Sequence, residues 1–332
     1  MNGRLVHIVL ATAIAALAAA SCGRGKGNPA PGGTLPVRAF PATAVPGMIS
    51  DPLERQDFTA LHFWDAFTDT TAGPFRCDSL TVEGVRTDDL EQAMSNFSLY
   101  VVSVPPETAK NAARNFINRV SAFQKARPGS NMFAVLTDLS RKYLYDPNSP
   151  LRREDAYGVI AGTMKESPLV APEMRPTFTY EERICSMNAE GTVAADFAFT
   201  DISGRNRTLH GIKADLLILI FGDPDCQACK EIVESMRNDG DVNGLVAAGK
   251  VKVADIYIDR EVAEWRSKAS AYPKEWINGY DHNFLLRENR LYGIRAIPSI
   301  YVLDSGKTVL MKDATTDRLL KFIASYARNN NR

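Results

Sequence analysis

Residues 214–232 read ADLLILIFGDPDCQACKEI. The apolar run from Leu216 to Phe221 has strand length and no alternation, as expected of a strand covered on both faces. It stops at Gly222, turns through Asp223-Pro224-Asp225, and delivers Cys226 and Cys229 to the start of a helix expected to reach about Arg237. Two residues between the cysteines fit a first helical turn, with Cys226 at the exposed end and Cys229 tucked behind. Backbone N–H groups and the helix dipole at that end favour a thiolate. The spacing admits dithiol–disulfide exchange, half of a zinc site, or a structural disulfide. Zinc sites normally take four ligands, and His7, His62, His210 and His282 contain no spaced pair, so no metal is expected. The Pro-x-x-x-Thr/Ser-x-x-Cys signature of a peroxidatic cysteine is also missing before Cys226.

The flanking segments continue an α/β order. VAADFAFTDISGRNRTL (193–209) reads as strand, turn and short strand, and GKVKVADIYID (249–259) as a strand. REVAEWRSKA (260–269) reads as a helix, and PSIYVLDSGKTVLMKDA (298–314) as a hairpin turning at Ser305-Gly306. TTDRLLKFIASYA (315–327) closes the chain as an amphipathic helix with Thr316 as its cap. Residues 190–332 are therefore expected to form a mixed sheet flanked by helices.

Upstream the apolar period is helical. Leu90, Met94, Phe97 and Val101 lie on one helix face, with Asp88 and Glu91 placed as a capping box. Pro105 and Pro106 separate this helix from the next, where Ala112, Phe116, Val120 and Phe123 repeat the pattern. Further helices are expected over 51–67, 130–145 and 152–165, with no repeat period, making 51–188 an all-α domain. Its aromatics read as core, and no chemical constellation assembles there.

The first 22 residues, MNGRLVHIVLATAIAALAAASC, carry Arg4, a short apolar stretch and small residues before Cys22, the layout of a secretory signal. The small-residue run ending at a lone cysteine resembles a bacterial lipobox, which implies lipidation at Cys22 and a membrane anchor. Residues 23–50 are Gly- and Pro-rich and read as a flexible tether. The 332-residue chain has 45% hydrophobic and 23% charged residues, as a soluble globular protein does. Thirty-nine Lys and Arg balance thirty-nine Asp and Glu (39 each) without a basic block, so nucleic acid is not an expected partner. Cys77 and Cys185 are the remaining cysteines; a bond between them would need Cα atoms within about 7 Å.

YGIRAIPSIYVLDSGKTV (292–309) resembles the stretch of thioredoxins in which a cis proline precedes the last hairpin and lies against a Cys-x-x-Cys pair. Pro298, preceded by Ile297, takes that place. The hairpin near 196–209 and an insertion around 264–283 resemble the extracytoplasmic, membrane-anchored branch of thioredoxin-like proteins. With DPNSPLRREDAY (146–157) and the helical domain, the whole chain resembles bacterial thioredoxin-like lipoproteins whose helical domain has no assigned function. The resemblance implies an α/β thioredoxin-like C-terminal domain after an all-α one, facing the periplasm, without a cofactor. It implies a thiol–disulfide oxidoreductase in which Cys226 attacks, Cys229 resolves, and Ile297 and Pro298 bind substrate backbone. Protein disulfides would be its substrates and a membrane or periplasmic thiol its electron donor. The Ile297-Pro298 pair leans towards the reducing direction.

Several positions depart from thioredoxins. Asp225 stands where they have Trp, and with Asp223 it places two carboxylates near Cys226, which oppose a thiolate. Gln227-Ala228 matches neither the dipeptide of reductants nor that of strong oxidants. Ile220 replaces the buried acid, while Asp255 on the facing strand, where thioredoxins have lysine, is a displaced candidate for the proton acceptor. The rival reading is a partner-binding lipoprotein whose helical domain captures a protein and whose cysteines turn over little.

Overall fold

In the computed structural model, which describes residues 35–268, 272–288 and 290–330, the two periodicities fall into two units, residues 1–179 and 180–332. The first carries α1 (Pro52–His62), a hairpin of β1 (Thr81–Val82) and β2 (Val85–Arg86), α2 (Thr87–Ser103) and α3 (Pro106–Ala126). These are followed by α4 (Met132–Ser140), which runs into a π-helical turn (Arg141–Tyr145), α5 (Glu154–Glu166) and the start of α6 (Arg175–Ser186). Asp51 starts α1 by accepting from the N–H groups of Leu53 and Glu54 at 2.8 and 2.9 Å. The predicted apolar faces are inside: Leu90, Met94, Phe97 and Val101 of α2, and Ala112, Phe116, Val120 and Phe123 of α3 are all buried. Trp64, Phe97 and Phe116 form an aromatic centre with ring separations of 5.2–5.6 Å.

Three expectations for this unit need correction. The capping box of Asp88 and Glu91 does not form, because α2 begins at Thr87 without a side-chain cap. Glu91 instead accepts from Lys142 Nζ at 2.6 Å and the Tyr143 hydroxyl at 3.0 Å. The unit is helical but not purely so: Glu83 and Gly84, at φ 46° and 81°, make the left-handed turn that pairs β1 with β2. The expected tether is fastened from Pro36 onward, its carbonyl accepting from Arg76 N–H at 3.1 Å. Arg38 stacks 3.9 Å above the Phe75 ring, and Phe40 packs on Phe63, Trp64 and Phe67. Cys22, with the rest of the expected signal, lies outside the described residues.

The second unit contains β3 (Ala198–Asp201), β4 (Asn206–Thr208), β5 (Leu216–Gly222), α7 (Gln227–Asn238), α8 (Gly240–Ala247) and β6 (Val251–Tyr257). Then come α9 (Val262–Lys268), β7 (Ile277–Tyr280), a single-turn α10 (Leu285–Glu288), β8 (Ser299–Asp304), β9 (Val309–Met311) and α11 (Thr316–Asn330). The strands make one mixed sheet in the order β4-β3-β7-β6-β5-β8-β9, with β5, β6 and β7 parallel and β8 antiparallel to β5. Every residue of β5 is buried. Leu216, Ile218 and Ile220 pack with Ile232 and Met236 of α7 on one face; Leu217, Leu219 and Phe221 pack with Phe199, Tyr292 and Tyr301 on the other.

Here too the sequence reading missed details. β7 lies within the stretch around 264–283 that was expected to be an insertion, and its Asn-Gly pair is one more usual in turns than in strands. Gly279 is required because a Cβ there would stand 2.6 Å from the Phe199 ring. The last hairpin turns over Ser305, Gly306 and Lys307, with Lys307 at φ 66°, one residue longer than expected. The cap of α11 is Thr315, whose hydroxyl accepts from Arg318 N–H at 3.3 Å, and not Thr316.

Candidate functional site

The end of β5 and the start of α7 build the site. Cys226 is the N-cap of α7 with extended backbone (ψ 121°), so its side chain turns back over the first turn and its sulfur accepts from the N–H of Cys229 at 3.3 Å. That arrangement suits a thiolate. Cys226 is partly exposed, whereas Cys229 is 4% exposed. Burial, then the hydrogen bond with Cys226, push the Cys229 thiol far above the ordinary thiol range. One cysteine is therefore open to a partner and the other is kept protonated behind it.

The segment before β8 supplies the facing wall. The Ile297–Pro298 peptide bond is cis, and the Cys226 thiol donates to the Ile297 carbonyl at 3.8 Å. Ile297 also lines a small cavity of about 160 Å³ with Gly222, Ile258 and Ile294.

The strand pairing places the acid. Asp255 of β6 stands opposite Ile220 of β5, and along β6 it shares the face of Val251 and Val253, the side covered by α7. Gly222 opens the space between: a Cβ there would lie 3.5 Å from Asp255 Oδ1 and 3.7 Å from Cys229 Sγ. Asp255 is 3% exposed, and burial alone pushes its carboxyl up to about 7. A carboxyl that titrates near neutrality beside a buried thiol is suited to exchange a proton with it.

The expectation that Asp223 and Asp225 both press on Cys226 is revised. Lys268 at the end of α9 reaches Asp225 at 2.7 Å and Glu264 at 2.9 Å, and its ion pair holds the Asp225 carboxyl below the usual range. Asp223 Oδ1 accepts from the Asp225 N–H at 2.7 Å. Lys268 stands 43 residues from Asp225, and no local pattern announces that contact. Lys268→Ala is expected to unmask Asp225 and slow alkylation of Cys226 at neutral pH a few-fold, less so at high salt. An unchanged rate would show that the pair does not screen the cysteine.

Lys268 also helps line a cavity of about 570 Å³ along α7, together with Cys229, Lys230, Val233 and Tyr272. The buried Tyr272 phenol, its titration pushed upward by desolvation and then by the nearby Asp255 and Cys229, was not foreseen as part of the site. Thus Cys226, Cys229, Asp255, Ile297 and Pro298 come together as expected, while Lys268 and Tyr272 are additions. Elsewhere, Cys77 donates to Asn131 Oδ1 at 3.0 Å, and Cys185 is buried in α6. Among the described residues no group of three or more His, Cys, Asp or Glu could hold a metal ion.

Comparison with known proteins agrees with this fold. Residues 18–186 match a family model described as a domain of unknown function, DUF5106. A thioredoxin-like protein from Bacteroides caccae has 34% identity over 87% of this chain and 99% of its own, with a TM-score of 0.74. The C-terminal domain of an uncharacterized protein from Bacteroides fragilis has 40% identity over 42% of this chain and 99% of its own, with a TM-score of 0.41. No curated protein matches the chain. With a DUF5106 region over residues 18–186 and, over 87% of its length, a likeness to the B. caccae protein, the chain belongs to the thioredoxin-like family.

Proposed function

We infer that the protein is a thiol–disulfide oxidoreductase that reduces protein disulfides. The observation that carries this is Cys226: partly exposed at a helix N-cap, hydrogen-bonded by the Cys229 N–H at 3.3 Å, and set against the Ile297 carbonyl beside Pro298. The Cys226 thiolate attacks one sulfur of a substrate disulfide, whose S–S bond breaks and releases the first substrate thiol. Cys229 passes its proton to Asp255 and attacks the Cys226 sulfur, closing the Cys226–Cys229 disulfide and releasing the second thiol. Two electrons move from the dithiol to the substrate, and a thiol donor returns them. The backbone at Ile297 and Pro298 would hold the substrate as an added strand.

The place of action in this reading is the periplasmic side of a membrane, with Cys22 lipidated. Its support is the apolar, small-residue run that ends at that cysteine. Metabolic palmitate labelling is expected to disappear in Cys22→Ala while the protein is still made; a soluble, unlabelled wild-type protein would contradict it.

The test of the redox reading is reduction of insulin disulfides by the purified chain with dithiothreitol as electron donor. Clear acceleration over dithiothreitol alone is expected. No acceleration, with Cys226 still alkylated by added reagent, would favour the partner-binding alternative.

A further inference from the structure

Asp255 has a polar neighbour on the adjacent strand. β6 and β7 run parallel with Asp255 opposite Asn278. Both side chains lie on the α7 side of the sheet: Val251, Val253 and Trp276 share that layer, whereas Ala254, Ile256 and Ile277 point to the other. Asp255 and Asn278 are 3% and 6% exposed.

The Asn278 amide is oriented by its own hydrogen bond. Nδ2 donates to the Pro273 carbonyl at 3.3 Å, a contact that only the nitrogen can make. Oδ1 therefore points away from Pro273, and among the described residues it is buried without a donor. Leaving a buried carbonyl unsatisfied is costly. Asp255 is buried beside it, and burial is what raises its carboxyl, so the acid is favoured in its protonated form. Two acceptors on adjacent strands become donor and acceptor once one of them carries a proton, and only the carboxyl can.

We propose that Asn278 is a positioning residue for the redox reaction, its Oδ1 accepting a hydrogen bond from the protonated carboxyl of Asp255. The proposal rests on the dithiol reading of the site. During resolution the proton leaves Cys229 Sγ for Asp255 and is held there against Asn278 while Cys229 attacks Cys226. When the thiol donor attacks Cys226 and reopens the disulfide, Cys229 leaves as a thiolate and takes the proton back from Asp255, so this one proton is conserved over the cycle. The two protons that the released substrate thiols take up are those that the two donor thiols give to solvent. Among the described residues, the titratable groups shown to interact with Asp255 are the Cys229 thiol from α7 and the Tyr272 phenol before β7, both neutral at rest.

The experiment follows the Asp255 carboxyl directly, by its infrared carbonyl band in the reduced full chain, assigned by difference against Asp255→Asn. Asn278→Ala removes the acceptor and is expected to lower the midpoint of titration by about one pH unit, the size of one hydrogen bond. Asn278→Asp supplies a second carboxylate to share the proton and is expected to raise it. Opposite shifts support the pairing; no shift, or two shifts of the same sign, overturns it. If Asn278→Ala does not fold, the direction in Asn278→Asp decides. No turnover is needed, so a chain that shows the shifts and reduces no disulfide would sink the redox reading and leave the pairing standing.

Discussion

Cys226→Ser is expected to reduce insulin turnover to the level of dithiothreitol alone. The Cys229 thiol cannot take over, because burial pushes it far above the range in which a thiolate exists at neutral pH and only 4% of the residue is exposed. Cys229→Ser should behave differently. Its Cys226 still stands at the N-cap, keeps the N–H of residue 229 as a donor, and attacks once. The product is a mixed disulfide with the substrate that nothing inside the domain resolves. Non-reducing gels would show that adduct in Cys229→Ser and none in Cys226→Ser. Retained turnover in Cys226→Ser, or an adduct through Cys229, would reverse the assignment.

Asp255→Asn is expected to move stability and activity in opposite directions. The wild-type carboxyl titrates near 7 when folded and at 3.8 in its reference state. Between these values the folded chain holds a proton that the unfolded chain has released, so stability falls as pH rises through that window and levels off above it. The full difference is on the order of 4 kcal/mol at 1.36 kcal/mol per unit. Asparagine removes this dependence, so the variant's advantage should be small near pH 4 and largest above 7. Resolution of the mixed disulfide loses its base and should slow about tenfold or more, with the acid limb near pH 7 removed. Thermal unfolding from pH 4 to 8 and rapid-quench analysis of the adduct check the two halves. Parallel stability curves for wild type and variant would show that the carboxyl is not strained by burial.

Much of this site was legible in the sequence because its parts are local or repeat a period. The unbroken apolar run 216–221, the two cysteines at a helix start, and Ile297-Pro298 before a hairpin each carry their own signal. Asp255 was found through its place across from Ile220, and the pairing of those two residues is the one the register shows. What was missed depends on contacts distant in sequence. Lys268 neutralises Asp225 from a helix 43 residues away, and Tyr272 reaches the cavity beside Cys229 from the loop before β7. β7 itself lies within the expected insertion, and the glycine of its Asn-Gly pair answers to the ring of Phe199 rather than to a turn. In the helical unit the periodic faces were correct, but ends were not: Glu91 left its capping role for Lys142 and Tyr143, partners that only the tertiary fold brings near.

The central claim is that the Cys226–Cys229 dithiol hands two electrons to a substrate disulfide. A single-turnover experiment tests it most directly: fully reduced chain, freed of donor, is mixed with excess insulin, quenched with an alkylating reagent and mapped by mass. The account predicts that the Cys226–Cys229 disulfide forms in step with the release of two insulin thiols per chain. Insulin left intact, with Cys226 still alkylated in the quenched chain, would contradict it.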